Sequence, residues 1–279
     1  MQMRWLSKRA LGAREYHWSL RRGEFKMSSN PGRIFSTLVL MLLGVGCVSQ
    51  AEIEAVSADE FEQMQTQMAL TSSAMEKTYV YCVSRAIIAQ LGSPYDTMDW
   101  EIEVFDNEML NAFAMAGGKI GVFNGIFAVA TTQDELAAVI GHEVAHVTEQ
   151  HSLERANQEL VTGNIVGLGS AAVGGNLGQM VAIGADLGFF LPYGRRQESE
   201  ADVVGLDYMA SAGFDPRASV QLWKNMEAKA GGGPPEFLST HPSADNRIGG
   251  LISQLPTALP LYNKVVAEGG RPSCRTPNS

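Results

Sequence analysis

The sequence predicts an α+β protein that is mainly helical and contains one small antiparallel sheet. Apolar residues recur at helical spacing over 58–91, and a capping box at residues 132–135 predicts a second long helix that runs to about Leu160. Three short extended runs lie between these two helices, at 100–105, 111–115 and 119–123. Gly117 and Gly118 indicate a turn between the last two runs, so the three runs are expected to form the sheet.

Further helices are expected in the second half of the chain. One is predicted over about 195–212, where Gly213 and Pro216 end it, and another continues from there to about Ala230. A last short helix is expected over 243–254.

The charge of the chain is unevenly distributed. The 279 residues carry a formal net charge of -9. Residues 1–46 hold 8 Lys and Arg against 2 Asp and Glu, whereas the remainder has a net charge of -15. An acidic body lacks the basic face that a general nucleic-acid binder needs, so no nucleic-acid partner is expected.

The basic N-terminal segment has the features of an export signal. Residues 34–46 are uncharged and rich in Leu, Val and Met, but these 13 residues are too few to span a bilayer, which takes about 20. The run ends at Cys47 after small residues, which resembles a bacterial lipobox, although Gly44 stands where a Leu is usual. We expect lipidation of Cys47. A plain cleaved signal and a retained anchor are the alternatives, and Met27 offers a later start that would exclude 1–26.

These features predict an exported, periplasmic protein that a lipid at its N-terminus anchors to the outer membrane. The domain organisation that follows has four parts. They are a signal peptide (1–46), a lipid-anchor linker (47–57), a catalytic domain (58–255) and a C-terminal tail that looks loosely ordered (256–279).

Two further cysteines, Cys82 and Cys274, remain if Cys47 is lipidated. In an oxidising compartment they could form one disulfide that ties the tail to an early helix. The alternative is two unpaired thiols.

The segment 161–191 is rich in Gly, with one acid and no base. One interpretation is loosely packed helices or a mobile lid over the cleft, and the other is a membrane hairpin. Its many glycines and polar residues make a poor membrane span, which favours the first interpretation.

The sharpest motif is His142-Glu143-Val-Ala-His146, inside the helix predicted from residue 132. Residues four apart lie on one face of a helix, so His142 and His146 can bind a single zinc ion. Glu143 is then placed to act as general base on a zinc-activated water. We therefore expect one Zn²⁺ per chain.

A catalytic zinc needs a third protein ligand, and the acids of the next helix are the candidates. Glu198 is preferred because Asp202 lies one turn further on and can accept the free N–H of a ligating histidine. Glu200 is the alternative, although it points roughly 200° away from Glu198. His151 is turned by about 140° from His146 on a continuous helix, so it is not expected to be a ligand.

Four segments in order resemble the HtpX/CAAX-prenyl-protease type of zinc metallopeptidase, a gluzincin family. They are Asn111–Ile120, Glu135–His146, Arg195–Asp202 and Thr240–Ser243. The resemblance covers roughly residues 60–255 and is strongest to exported bacterial members without transmembrane helices, the LoiP- and BepA-like proteases.

The resemblance implies a zincin-like metalloprotease domain with the small sheet beside the HExxH helix. It implies an endopeptidase of the bacterial cell envelope that hydrolyses misfolded or misassembled proteins. The alternative is a chaperone-like assembly factor with latent protease activity, which would work with the envelope assembly machinery. Both functions have unfolded or misassembled envelope proteins as partners.

Two further roles are implied by the resemblance. Asn111, Ala112, Phe113 and Ala114 are similar to an edge strand that binds an extended substrate. His241 is implied as an inhibitory fourth zinc ligand or as a catalytic group that stabilises the oxyanion.

The alternative without an active-site role is that His241 is a helix-cap histidine packed by Arg247. Arg195 or Arg196 could also support the site or bind a carboxylate.

Overall fold

Seven α-helices and one three-stranded sheet make up the residues that the computed structural model describes, which are 47–162, 193–229, 237, 241 and 247–277. The helices are α1 (Gln50–Gln67), α2 (Ala74–Ile88), α3 (Gln133–Thr148), α4 (His151–Thr162), α5 (Arg195–Ser211), α6 (Arg217–Lys229) and α7 (Arg247–Ala267). The strands are β1 (Glu101–Phe105), β2 (Ala112–Met115) and β3 (Lys119–Phe123). The prediction of a mainly helical α+β protein is confirmed.

The first predicted helix is in fact two helices. A capping box of Ser49 and Glu52 starts α1 at Gln50, so most of the segment assigned to a linker is helical. The chain then leaves the helix and passes beside β1, where the amide of Thr71 donates to the carbonyl of Val104 at 2.9 Å. Ser73 caps the start of α2. Apolar spacing continued across the break because both helices bury one face, so periodicity alone did not show it.

The sheet is mixed rather than wholly antiparallel, with the strand order β1-β3-β2. The predicted hairpin of β2 and β3 is present, and Gly117 and Gly118 make its turn with φ values of 77° and 76°. β1 pairs with β3 in parallel. The chain reverses once after β1 and again at the hairpin, so β1 and β3 run in the same direction. Because β3 lies in the middle of the described sheet, β2 is one of its edge strands.

The HExxH helix α3 is almost entirely buried and packs closely on α5. Its capping box, Thr132 with Glu135, is formed as predicted. A Cβ atom on Gly205 of α5 would lie 2.7 Å from the carbonyl carbon of Gly141 and from the amide of His142, so the two helix backbones are in contact. This contact brings the two candidate metal-binding motifs face to face.

The predicted extension of α3 to Leu160 is wrong, because the chain turns sharply after Thr148. Gln150 has a left-handed backbone with φ of 55°, and a new helix, α4, begins at His151. A left-handed residue cannot continue a right-handed helix. The change of direction decides where His151 points.

The C-terminal residues are better ordered than predicted. α7 continues to Ala267 through Pro256 and Pro260, with Leu251, Ala258 and Tyr262 buried along it. Burial of this apolar face stabilises the helix beyond the two prolines, which the sequence had suggested would end it.

After α7, Cys274 forms a disulfide with Cys82 of α2. Of the two alternatives left open by the sequence, the structure shows the paired cysteines. Cys47 is exposed and unpaired among the described residues.

The expected signal peptide (1–46) and the lid or hairpin beyond α4 lie outside the described residues. Within the part that is described, no helix combines the length and apolar character needed to cross a bilayer.

Candidate metal centre

Four buried side chains from three parts of the chain converge on one point. They are His142 and His146 of α3, Glu198 of α5, and His241. One ligand atom from each lies within 4.8 Å of the others. His142 Nε2 is 3.1 Å from His146 Nε2 and 3.2 Å from His241 Nδ1, and His241 Nδ1 is 3.1 Å from Glu198 Oε1. The predicted ligands are thus brought together, with Glu198 as the carboxylate.

The chemistry of this set fits zinc. Three imidazole nitrogens and one carboxylate oxygen are the donor types that tetrahedral Zn²⁺ binds in proteins. Lone pairs on ring nitrogens this close repel one another unless a proton or a cation lies between them. His142, His146 and Glu198 would hold the ion, with His241 in reach of a fourth position.

Glu143 lies beside the ligands but has a different environment. Its Oε2 accepts a hydrogen bond from the amide of Ala114 at 3.3 Å, whereas its Oε1 has no hydrogen-bond partner among the described residues and lies 3.4 Å from His241 Nε2. Burial raises the pKa of Glu143, although the charges of His241 and His142 oppose this. A carboxylate with a raised pKa and an uncommitted oxygen suits a general base.

Asp202 and Arg247 surround the ligands. Asp202 Oδ1 lies 3.1 Å from Nδ1 of His142, the atom that faces away from the convergence point. Arg247 donates to Glu198 at 3.0 Å and to Asp202 at 2.5 Å, and its guanidinium lies 3.8 Å above the ring of Trp223. Asp202 therefore has the geometry expected of a group that orients a ligating histidine.

Burial disfavours the charged form of each candidate ligand, and neighbouring groups oppose this effect at Glu198 and His142 but add to it at His146. Burial opposes ionisation of Glu198, but hydrogen bonds and charges from His142 and His241 outweigh it and hold the pKa of Glu198 well below its usual value. Burial and Arg247 would lower the pKa of His142, but Asp202 and Glu198 raise it to about 9. Burial and the neighbouring histidines lower the pKa of His146.

Arg247 and Tyr193 are site residues that the sequence analysis missed. Arg247 had been considered only in the alternative in which His241 is a helix-cap histidine packed by this arginine. Tyr193 stacks on the ring of His146, with centroids 3.9 Å apart and an interplanar angle of 18°. The guanidinium of Arg155 lies over the Tyr193 ring, 4.3 Å from the ring centre. The sequence signs of these two roles were weak: Arg247 follows His241 by a few residues, and Tyr193 directly precedes the helix predicted over 195–212.

Glu200 does not join the four converging groups. Its Oε2 accepts from Arg196 at 2.7 Å and lies 3.4 Å from His151 Nε2. Arg196 also contacts Glu154, and both Arg195 and Arg196 are exposed, so neither arginine reaches the ligands. The structure therefore places Glu200 outside the ligand set and Arg247 in the supporting role considered for Arg195 or Arg196.

The edge strand β2 lies beside the candidate metal centre. Ala112 and Ala114 face the main core, whereas Phe113 joins an aromatic cluster on the other side of the sheet. Asn111 is buried just before the strand, and its side chain accepts from the amide of Ala112 at 3.0 Å. The amide of Ala114 points to Glu143, which shows that one edge of the strand is directed at the site.

The HExxH helix, the facing carboxylates and the edge strand together define a metallopeptidase-type site. The chain belongs to peptidase family M48, whose profile matches residues 74–254. The family match confirms the prediction that the chain is a metallopeptidase, at the level of family M48 and no finer.

Several curated relatives are named metalloendopeptidases. The mitochondrial metalloendopeptidase OMA1 of Schizosaccharomyces pombe is 39% identical over 182 residues, which cover 64% of this chain and 53% of that protein. OMA1 of Homo sapiens is 32% identical over 59% of this chain and 34% of its own length. The beta-barrel assembly-enhancing protease of Yersinia pestis is 26% identical over 67% of this chain and 40% of its own length. The chain spans about a third to a half of the length of the curated relatives it matches.

These relatives contradict the expected location in a periplasm with an outer-membrane anchor. Several of them, from fungi, plants and animals, are named as mitochondrial proteins. Basic, acid-poor N-terminal segments occur in export signals and in organellar transit peptides alike, so the charge of residues 1–46 does not separate the two.

Proposed function

We propose that this protein is a zinc-dependent endopeptidase that hydrolyses peptide bonds of misfolded or misassembled proteins. The observation that carries the proposal is the convergence of His142, His146 and Glu198 beside the uncommitted Oε1 atom of Glu143. When bound, zinc polarises the scissile carbonyl and lowers the pKa of a water towards about 7.

Glu143 has the role of general base in this proposal. The amide of Ala114 fixes Oε2, so Oε1 is held in a constant direction towards the reacting groups. Oε1 accepts the proton of the attacking water and returns it to the leaving amine. Burial at 1% exposure keeps bulk water from competing for this proton.

The substrate class follows from the edge strand β2. An extended peptide can add to a strand edge through main-chain hydrogen bonds, which depend little on its side chains. Folded proteins seldom offer an unpaired extended segment, whereas misfolded ones do. We therefore assign substrate binding to Asn111, Ala112, Phe113 and Ala114. The enzyme would recognise a substrate by its unfolded backbone and not by particular side chains.

A second candidate function is an assembly factor whose protease activity is latent. It is favoured by His241, whose Nδ1 lies among the ligand atoms and can occupy the position that a substrate carbonyl needs. The naming of two relatives as beta-barrel assembly-enhancing proteases agrees with a role in assembly. His241 would have to leave this position before hydrolysis.

The proposed function is tested with the Glu143→Gln and His142→Ala variants and unfolded casein as substrate. Glu143→Gln is expected to bind zinc as the wild type does but to lose hydrolysis by about 10²- to 10⁴-fold. His142→Ala is expected to lose the zinc as well. Glu149→Gln, at the exposed end of the same helix, is the matched control and should behave as the wild type. Hydrolysis by Glu143→Gln at the wild-type rate would overturn the mechanism.

The two candidate functions differ in what Glu143→Gln and His241→Ala do. An assembly factor prevents aggregation of an unfolded client equally well with Glu143→Gln, and His241→Ala raises its casein hydrolysis. A protease without this latency shows unchanged or lower hydrolysis in His241→Ala.

A further inference from the structure

The ligand candidate His146 is contacted on its far side by another histidine. Nε2 of His146 faces the convergence point, and Nδ1 lies 2.9 Å from Nδ1 of His151. Both side chains are 1% exposed. This contact has no part in the function proposed above.

The backbone of Gln150 is what aims His151 at His146. On a continuous helix the two side chains would diverge by about 140°. The left-handed conformation of Gln150, at φ of 55°, ends α3 and restarts the chain so that His151 turns back. Gln197 then fixes the new helix start, because its Nε2 donates to the backbone carbonyl of His151 at 3.3 Å.

The contact determines which nitrogen of each ring carries a proton. If Nε2 of His146 binds a metal ion, the proton of the neutral ring is on Nδ1, and Nδ1–H donates to Nδ1 of His151. His151 then has its proton on Nε2, which lies 3.4 Å from Oε2 of Glu200. Arg196 holds the same carboxylate oxygen at 2.7 Å. The chain of groups therefore runs from the metal position to a carboxylate at the surface.

We propose that His151 is a positioning residue that orients His146 and fixes its tautomer, and that Glu200 fixes His151 in turn. The inference rests on the proposed metal site. It gives the two histidine ligands equivalent support, because Asp202 contacts Nδ1 of His142 directly and Glu200 acts on His146 through His151.

The three acidic residues at every second position of α5 thereby have three different roles. Glu198 faces the metal position, Asp202 supports His142, and Glu200 supports His146 through His151. The alternative that Glu200 is a purely solvated helix residue does not account for its approach to the buried His151 ring.

The test compares two substitutions of His151 that differ in one acceptor atom. His151→Asn places Oδ1 where Nδ1 was, so the acceptor for His146 is kept. His151→Leu keeps the bulk and removes the acceptor. The dissociation constant for Zn²⁺ is measured by competition with a chromophoric chelator, and the visible spectrum of the Co²⁺-substituted protein reports the geometry of the ligands.

We expect His151→Leu to weaken Zn²⁺ binding by roughly 10- to 100-fold and to change the Co²⁺ spectrum. His151→Asn should stay within about threefold of the wild type, with the wild-type spectrum. Equal weakening in both variants, or none in either, would overturn the proposal. A wild-type protein that binds no Zn²⁺ would instead overturn the proposed function itself.

Glu200 supplies a second test, which stands even if His151→Leu does not fold. Glu200→Gln should weaken Zn²⁺ binding by about three- to tenfold, because the carboxylate charge is lost while one oxygen remains. Glu149→Gln removes an exposed carboxylate close in sequence to His151 and should have no effect. Equal affinities of these two variants would contradict the role of Glu200.

Discussion

The guanidinium of Arg247 lies 3.0 Å from Oε2 of Glu198, the carboxylate that faces the candidate metal position. The same group contacts Asp202 at 2.5 Å, so one cation serves two buried or half-buried acids. Arg247 is itself only 7% exposed and stacks on Trp223. Arg247 is the permanently charged group that compensates these carboxylates, beside His142, whose raised pKa favours its protonated form.

Arg247→Ala should therefore destabilise the zinc-free protein by about 3–5 kcal/mol, since it removes the permanent charge that hydrogen-bonds both acids and leaves their compensation to the histidines. Arg247→Lys should recover only part of this, because an ammonium cannot bond both acids in the planar geometry of a guanidinium. Urea unfolding measures both effects. Arg217→Ala removes an exposed guanidinium from Asp215 and should cost less than about 1 kcal/mol. Similar losses for Arg217→Ala and Arg247→Ala would show that burial of the pair is unimportant.

Glu60 makes stability depend on pH. Its side chain is buried in α1, its Oε1 has no hydrogen-bond partner among the described residues, and burial raises its pKa to about 7. The folded protein therefore holds this proton more tightly than the unfolded chain, and stability falls as pH rises from about 4.5 to 7. Glu60→Gln should stabilise the protein by about 1–3 kcal/mol at pH 8 and have little effect below pH 4.5.

Thermal unfolding of Glu60→Gln across this pH range is the measurement. Glu62→Gln, an exposed position on the same helix, is the control and should shift the melting temperature equally little at every pH. A Glu60→Gln effect that is constant with pH would exclude the ionisation of Glu60 as its cause.

The contact between Gly141 and Gly205 should tolerate no side chain. A methyl group at Gly205 would lie 2.7 Å from backbone atoms of Gly141 and His142, which cannot move aside without shifting the helix. Gly205→Ala is expected to destabilise the protein by about 1–3 kcal/mol and to weaken Zn²⁺ binding, because it separates α5 from α3.

Gly250→Ala is the matched control for this substitution. Gly250 lies in α7, and no atom of the described residues lies within 4 Å of an added Cβ atom, so alanine should stabilise the protein by up to about 1 kcal/mol. Urea unfolding and Zn²⁺ titration of the two variants distinguish a steric effect from a general effect of losing glycine. Equal results for both would contradict the close helix contact.

The disulfide between Cys82 and Cys274 closes a loop with a sequence separation of 192. Removing it in the Cys82→Ser, Cys274→Ser double variant should lower the free energy of unfolding by about 2–5 kcal/mol, mainly because the unfolded chain gains freedom. Cys47→Ser changes only the exposed free thiol and should leave stability unaltered. A reductant should lower the melting temperature of the Cys47→Ser protein but not that of the double variant.

Local patterns carried much of the prediction of fold and site. The capping box of Thr132 and Glu135 located the start of α3, and the spacing of His142 and His146 placed both on one face of it. These features depend on interactions within a few residues, which the sequence displays directly.

Features that depend on distant contacts were not predictable in the same way. The parallel pairing of β1 with β3 is decided by which strand occupies the middle of the sheet. The left-handed Gln150 is held by the packing of α4 against Gln197, and no local pattern marks it. Arg247 reaches Glu198 from 49 positions away, so its role became visible only when α7 was placed beside α5.

The position of Arg247 in the chain also orders events during synthesis. The two histidines of the HExxH helix and the acids of α5 are all made before Arg247, which follows Glu198 by 49 residues. A nascent chain that stops short of residue 247 has every proposed zinc ligand of α3 and α5 but not the cation that balances their carboxylates. The arginine contact can therefore form only after α7 has been synthesised, and a chain cut before residue 247 would carry both motifs without the cation that links their carboxylates.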